Sequence, residues 1–335
     1  MHLISSAAIT KNELLAYIQS ADQMRFRIAN RRQNSSDDLR QRPGDFNTLV
    51  PQHPDKTLIT MFYEPSTRTN CSFQAAAIKL GTRVIALTEK SSSAEKGESL
   101  EDTIQTLQHY GDAIVLRHPA KGSAERAAEV SAVPIINGGD GNGEHPTQAL
   151  LDAYTLYYEL AQRSIHIHSD HRPPITITFV GDLKNSRTIH SLIRLLIHFP
   201  KLRFNYISPA SLEMPADLVD FVSGFNQYDQ NKVNCIEDAI DTTDVLYMTR
   251  IQRERFESED AYRAVMEESE SYCLTAELLD DAKEKMIVMH PLPRLEEIPP
   301  EIDGDERAVY FKQVENGLYM RMAILHKIFS EDRLG

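Results

Sequence analysis

Residues 57–81, TLITMFYEPSTRTNCSFQAAAIKLG, decide the fold. Leu58, Ile59, Met61, Phe62 and Tyr63 make a short apolar run that predicts a buried strand. Pro65 breaks the extended run, and Ser66 stands where a helix N-cap belongs. Phe73, Ala76, Ala77 and Leu80 follow at helical spacing, and Gly81 supplies a C-terminal stop. Ser66, Thr67, Arg68 and Thr69 then lie on a strand-to-helix turn, where free backbone N–H groups, hydroxyls and a guanidinium converge. That is a site for a phosphate or another oxyanion. The same residues also fit plain helix capping beside a solvated Arg, so the rest of the chain has to decide.

Towards the N-terminus, Thr10 caps a helical pattern over 10–33, and 34–55, with Pro43, Gly44, Pro51 and Pro54, reads as a loop. Towards the C-terminus the strand–helix alternation repeats. Arg83 to Leu87 reads as a strand, and Thr88–Gly97 as a polar loop carrying Ser91, Ser92, Ser93 and Lys96. Ser99-x-x-Asp102 makes a capping box for a helix with Leu100, Ile104 and Leu107. Ala113 to Leu116 is the next strand, ending in Arg117, which is either a ligand-facing residue at a strand's carboxyl end or a salt-bridged rim residue. Val133 to Ile136 reads as a strand followed by a Gly-rich loop, GGDGNGE. Pro146 fits the first helical position, which puts His145 at the N-cap. An imidazole there is favoured neutral and can donate to a carbonyl oxygen, or it can simply cap.

A helix over Pro146–Leu160 closes the first half, and the polar stretch 161–174, with His166, His168, Asp170 and His171, reads as an exposed linker without a metal-ligand spacing. Thr176 to Val180 opens a second unit, with Gly181-Asp182 turning into a helix that begins near Arg187. Leu202–Ile207, Asp244–Met248 and Met286–Met289 supply further strands. Thr249 to Arg255 (TRIQRER) follows one of them, residues 257–284 are acidic and helical in pattern, and His290-Pro291-Leu292-Pro293 makes a rigid turn with room for a cis bond before Pro293. Val314–Ile328 is an amphipathic helix. The fold class expected is α/β, two doubly wound domains, each with a central parallel sheet flanked by helices.

The 335 residues, 41% hydrophobic and 25% charged, suit two globular domains. A formal net charge of −13 argues against nucleic acid or an anionic membrane surface as partner. No apolar run approaches the roughly 20 residues a membrane helix needs, and the N-terminus lacks a secretory pattern. Cys71, Cys235 and Cys273 are few and far apart, which suits the cytoplasm. No GxGxxG fingerprint and no GxxxxGK[ST] occurs, so neither a dinucleotide site nor a P-loop is expected.

EPSTRT followed by SF, the Ser/Lys loop, HPTQALLDAYTL, GDLKNSRTIHSL, YMTRIQRERF and HPLP, in this order, resemble the motifs of the aspartate/ornithine carbamoyltransferase family over most of the chain. Many members carry a second Arg where this chain has Asn70, so no phosphate role falls there. The resemblance implies residues 1–148 plus 312–335 as a carbamoyl-phosphate-binding domain and 149–311 as an aspartate-binding domain. It implies that Ser66, Thr67, Arg68 and Thr69 hold the phosphate, helped by Ser92 and Lys96 of a neighbouring chain in a homotrimer. Thr69, Arg117 and His145 would polarise the carbonyl oxygen, and Gln148 would hold the carbamoyl nitrogen. Arg187, Arg250 and Gln252 would take aspartate's carboxylates, with Leu292 facing the amine and Arg255 pairing with acidic neighbours such as Glu64. Ornithine-specific relatives have HCLP where this chain has HPLP, which favours the aspartate branch. The implied reaction converts carbamoyl phosphate and L-aspartate to N-carbamoyl-L-aspartate and phosphate, in pyrimidine synthesis, with no metal or organic cofactor. Transfer to another amino acid such as ornithine, or a non-catalytic anion-binding relative, stay open as alternatives, as do regulatory chains.

Overall fold

The computed structural model describes residues 1–34, 50–268 and 272–331. Most of the expected 34–55 loop and residues 269–271 of the acidic stretch lie outside the described residues. The chain forms two compact units, Met1–Tyr154 with Val314–Gly335, and Thr155–Gln313.

In the first unit, helix α1 (Lys11–Asn34) starts at a full capping box. The Glu13 carboxylate accepts from the Thr10 N–H (2.9 Å) and hydroxyl (2.7 Å), while Thr10 Oγ1 accepts from the Glu13 N–H (3.3 Å). Then β1 (Thr57–Phe62), α2 (Thr67–Lys79), β2 (Arg83–Thr88), α3 (Leu100–Leu107), β3 (Ala113–His118), α4 (Ser123–Val130), β4 (Ile135–Asp140) and α5 (Pro146–Gln162) alternate. Apolar runs such as Leu58-Ile59-Thr60-Met61-Phe62 are buried on both faces because parallel strands need crossover helices, and those helices cover the sheet. The order is β2-β1-β3-β4, all parallel. Ile59, Met61, Ile114, Leu116 and Ile135 pack with Leu100, Ile104 and Leu107 of α3 and Ala127 of α4. Edge strand β2 departs from this rule, because RVIALT stays largely exposed.

The second unit runs β5 (Ile175–Val180), α6 (Arg187–Leu196), β6 (Leu202–Ile207), α7 (Ala216–Ser223), β7 (Asp229–Lys232), β8 (Val245–Met248), α8 (Glu259–Glu268), α9 (Ala276–Asp280) and β9 (Ile287–Met289). Helix α10 (Tyr310–Glu331) ends the chain's described part. The sheet order is β7-β6-β5-β8-β9, again all parallel. In both sheets the chain winds outward and then crosses back, between β1 and β3 in one and between β5 and β8 in the other. Such reversal points are where open α/β sheets bind ligands, beyond the strands' carboxyl ends.

Three sequence expectations need correction. The strand expected at Val133–Ile136 runs over Ile135–Asp140, into the Gly-rich stretch, because β3 extends to His118 and keeps pairing with it. The polar 88–97 loop contains two 3-10 turns, Glu89–Ser91 and Ser93–Lys96. The linker over 161–174 is largely exposed, with Ile167 buried and the Arg172 guanidinium donating to the carbonyls of His166, Ile167, Pro173, Pro200 and Lys201. Helix α7 and strand β7 were not foreseen. Asp229–Lys232 (DQNK) has no strand pattern and becomes extended by pairing with β6 at the sheet edge.

Candidate active site

At the first reversal point β1 and β3 end together, with the Tyr63 N–H donating to the Arg117 carbonyl (2.9 Å). Helix α2 begins at Thr67, with Ser66 extended at the N-cap, and the Ser66 hydroxyl makes no capping bond. The first N–H groups of α2 have no partner within the helix, which is the arrangement an oxyanion needs. Thr67 and Arg68 are exposed and Thr69 is buried. The Asn70 side chain accepts from Gln74 (2.7 Å).

Arg117 emerges from the end of β3. Its Nη1 donates to the Gly138 carbonyl (3.2 Å), and its Nε lies 3.3 Å from the Glu64 carboxylate without a well-directed hydrogen bond. Burial pushes the guanidinium pKa down, Glu64 opposes that, and the like charge of Arg68 adds to it. Two cations within mutual electrostatic reach, one of them half-buried, favour an anion between them.

His145 is buried and directly precedes α5, with its Nδ1 3.4 Å from the Thr147 hydroxyl. The loop before it is held at both ends. The Asp140 carboxylate accepts from the N–H groups of Gly122 (2.9 Å) and Glu144 (2.6 Å). Glu144 accepts from the Ser5 hydroxyl and from the Ser6 N–H and hydroxyl. Gly141, at φ +55°, passes so close to Pro119 that a Cβ would lie 2.0 Å from its carbonyl oxygen. Gln148, one turn into α5, donates to Asp152 (2.9 Å). Ser92 lies between the two 3-10 turns and donates to the Glu89 carbonyl (2.9 Å), while Lys96 ends the second turn and is exposed.

At the second reversal point Gly181, at φ +113°, lets β5 turn beside the end of β8. A Cβ there would lie 2.1 Å from the Thr249 carbonyl oxygen. The buried Asp182 carboxylate accepts from the Asn185 N–H (3.0 Å) and side-chain amide. Burial pushes its carboxyl pKa up, against hydrogen bonds from Asn185 and the Gln252 backbone that pull it down. Arg187 is the first residue of α6, and the Gln252 side chain donates back to the Asn185 carbonyl (3.4 Å). Arg250 follows β8 and is half-buried. Leu292, at φ 58° and joined to Pro293 by a cis bond, donates its N–H to His290 Nδ1 (2.8 Å). His290 Nε2 lies 2.8 Å from the Glu297 carboxylate, so in the neutral ring the proton sits on Nε2. Among the described residues no group of three His, Cys, Asp or Glu side chains is placed to hold a metal ion. Nor is any described helix long and apolar enough to cross a membrane.

Each reversal point therefore carries groups of the kind an anion can meet, and comparison with known proteins names the family. Residues 1–158 match the model described as aspartate/ornithine carbamoyltransferase, carbamoyl-P binding domain, and residues 174–328 match its Asp/Orn binding domain. The chain belongs to the aspartate/ornithine carbamoyltransferase family. Within it, the chain is 48% identical over 274 residues to the aspartate carbamoyltransferase catalytic subunit of Archaeoglobus fulgidus, covering 82% of this chain and 86% of that one. It is 45% identical over 328 residues to the multifunctional protein pyr1-3 of Dictyostelium discoideum, where 98% of this chain spans 13% of the relative's length. The catalytic subunit of M. jannaschii aspartate transcarbamoylase superposes with a TM-score of 0.82 at 41% identity, over 99% of both chains. The Trypanosoma cruzi aspartate transcarbamoylase in complex with N-(phosphonacetyl)-L-aspartic acid gives 0.84 at 35% identity, over 97% and 94%. The two-domain α/β architecture is that of this carbamoyltransferase family.

Sequence reading assigns no supporting role to Asp140, Glu144, Asp152, Glu297 and Arg321, and takes Asp182 only as part of a turn. Arg321 had a signal, since a lone charge in the apolar run LYMRMAIL predicts either a solvated face or a buried partner. Asp152 had one as well, standing four residues after Gln148 on the expected helix, whereas Asp140 and Glu144 had none, since Gly122, Ser5 and Ser6 are brought to them only by the fold.

Proposed function

We propose that this chain transfers the carbamoyl group of carbamoyl phosphate to the amine of L-aspartate, giving N-carbamoyl-L-aspartate and phosphate in pyrimidine synthesis. The observation that carries this is the set of the uncapped α2 N-terminus with Arg68 and Arg117 at one reversal point; at the other, Arg187 opens α6 after β5 and Arg250 follows the neighbouring strand β8, with Gln252 donating to the Asn185 carbonyl. The first set suits a phosphate and the second a dicarboxylate. Relatives named aspartate carbamoyltransferase, and structures holding that enzyme's substrates and a bisubstrate analogue, support the same reading.

Residues 1–148 plus 312–335 take carbamoyl phosphate, and residues 149–311 take aspartate. Ser66, Thr67, Arg68 and Thr69 hold the phosphate. Thr69, Arg117 and His145 donate to the carbonyl oxygen as negative charge grows on it, each donor worth about 3–4 kcal/mol in such sites. Gln148 holds the carbamoyl nitrogen, while Arg187, Arg250 and Gln252 align aspartate, with the Leu292 carbonyl towards its amine. The amine attacks the carbonyl carbon, the bond to phosphate breaks, and the leaving phosphate takes the amine's proton. The acceleration comes from positioning and electrostatics, with no covalent nucleophile. His290-Pro291-Leu292-Pro293 and Arg250 favour aspartate over ornithine.

The active form is a homotrimer in which Ser92 and Lys96 complete the phosphate site of the adjacent chain. Exposed Ile85 on β2 and Ile78 on α2 support a partner on that edge, since parallel strands are ordinarily covered. The compartment is the cytoplasm, in keeping with Cys71, Cys235 and Cys273 forming no disulfide.

The test is ureido-product formation from carbamoyl phosphate with L-aspartate or L-ornithine. Turnover with aspartate alone is expected, and turnover with ornithine overturns the substrate assignment. Mixing Lys96→Ala with Arg68→Ala chains should regain activity, and mixtures that stay dead would remove the shared site.

A further inference from the structure

We propose that Asp152 and Arg321 are positioning residues that fix which end of the Gln148 carboxamide meets the substrate. This rests on the assignment of carbamoyl phosphate to the first unit. Gln148 and Asp152 stand one turn apart on α5, the first half-buried and the second fully buried. Gln148 Nε2 lies 2.9 Å from Asp152 Oδ1. An ionised carboxylate accepts and cannot donate, so the amide nitrogen must turn to Asp152 and its oxygen away from it.

That orientation has a chemical consequence. The carbamoyl group ends in –NH2, a donor, and its recognition requires an acceptor. Gln148 Oε1 is that acceptor in the orientation Asp152 enforces; a flipped amide would set N–H against N–H. An unassisted Gln on a helix has no such preference, because its two ends are nearly equal in size.

Arg321 of α10, buried like Asp152, is a cation whose charge acts on Asp152 inside this unit. Arg321 is itself held in place. Its Nη1 donates to the Ser72 hydroxyl on α2 (3.0 Å), and its guanidinium lies 5.2 Å from the centre of the Phe73 ring. Gly317, one turn earlier on α10, leaves the space it needs, since a Cβ there would lie 2.8 Å from Arg321 Nη1. Buried charges of opposite sign are seldom retained for stability alone, as well-packed apolar residues do as well. Orienting Gln148 gives this pair a functional reason. It also ties the helix that bears Thr67–Thr69 to the helix that bears His145's successor residues.

Acetyl phosphate separates this role from a structural one, because it carries a methyl group where carbamoyl phosphate carries the amine. The experiment measures the KM for carbamoyl phosphate and the inhibition constant for acetyl phosphate in wild type, Asp152→Asn, Gln148→Ala and the double variant. In Asp152→Asn the KM for carbamoyl phosphate should rise about tenfold, the scale of one hydrogen bond, with acetyl phosphate unchanged within twofold. Asp152→Asn should add no further loss of preference in the Gln148→Ala background. Arg321→Lys should keep most of the preference and Arg321→Met should lose it, which keeps the test open if Asp152→Asn folds poorly. Equal weakening of both ligands, or a loss that persists without Gln148, overturns the proposal. A wild type that binds neither ligand overturns the carbamoyl-phosphate assignment and the proposal with it. The two failures differ, because only the first leaves wild-type binding intact.

Discussion

The turn after β1 and the turn after β5 hold the same topological place in their sheets, yet they are built in opposite ways. After β1 the polar groups are consecutive: Ser66, Thr67, Arg68 and Thr69 follow one another onto the start of α2, with an uncommitted Ser66 hydroxyl. After β5 they are gathered from a distance. Buried Asp182 takes N–H groups from both Asn185 and Gln252, and Gln252 reaches back to the Asn185 carbonyl. The first turn offers N–H groups set by local backbone geometry. The second depends on a buried carboxylate and on two strands passing at glycine distance.

The largest effect should come from removing the one group that the local turn borrows. Arg117→Ala should lower kcat about 10²–10³-fold, the usual loss for a donor to a developing oxyanion, with little change in the urea midpoint. Retention of activity within tenfold would mean that the first turn works without β3. Next is the backbone of the second turn. Gly181→Ala should destabilise the chain by roughly 3 kcal/mol or more, combining a left-handed φ with a clash against Thr249. Gly122→Ala in the first unit, at φ +78° with open space around it, should cost only about 1 kcal/mol in urea unfolding. Equal losses at the two sites would erase the contrast.

Arg250→Lys should be milder still, raising the KM for L-aspartate about tenfold, as a point charge replaces a two-pronged grip. The KM for carbamoyl phosphate should hardly move, and a parallel rise in both would break the division of labour between the turns. The smallest effect concerns His190, whose ring faces the Leu183 carbonyl (2.7 Å) behind the second turn. Burial pushes its pKa below 6.5. A group depressed in the folded state contributes stability that is present above the unfolded value, near pH 6.5, and is lost as pH falls through the folded one. Unfolding at pH 7.5 and 5.5 should therefore show an acid loss that shrinks in His190→Gln. An unchanged slope would remove His190 from the account.

These contrasts explain what could be read from the residues. Thr57–Gly81 was legible because strand, cap, helix and stop each follow from side-chain period and a few special residues. His145 ahead of Pro146 was legible for the same reason. The strand at Ile135–Asp140 was placed too early, because nothing in GGD signals extension without the neighbouring β3. DQNK at β7 was silent, since an edge strand can be polar throughout when its partner supplies the pairing. The hold of Asp140 on the Gly122 N–H, and of Glu144 on Ser5 and Ser6, left no mark in the sequence.

The sequence by itself determined the α/β alternation, the two units and the motif residues, because hydrophobic period and turn chemistry act over a few neighbouring residues. Only the tertiary structure decided the strand orders, and with them the reversal points that give Arg117 and Arg250 their places. It alone decided which carboxylates hold the motif residues. The physical reason is burial: a charged group inside a fold must find partners wherever the chain brings them, and for Asp140 with Gly122 or Glu144 with Ser5 those partners are far away in sequence.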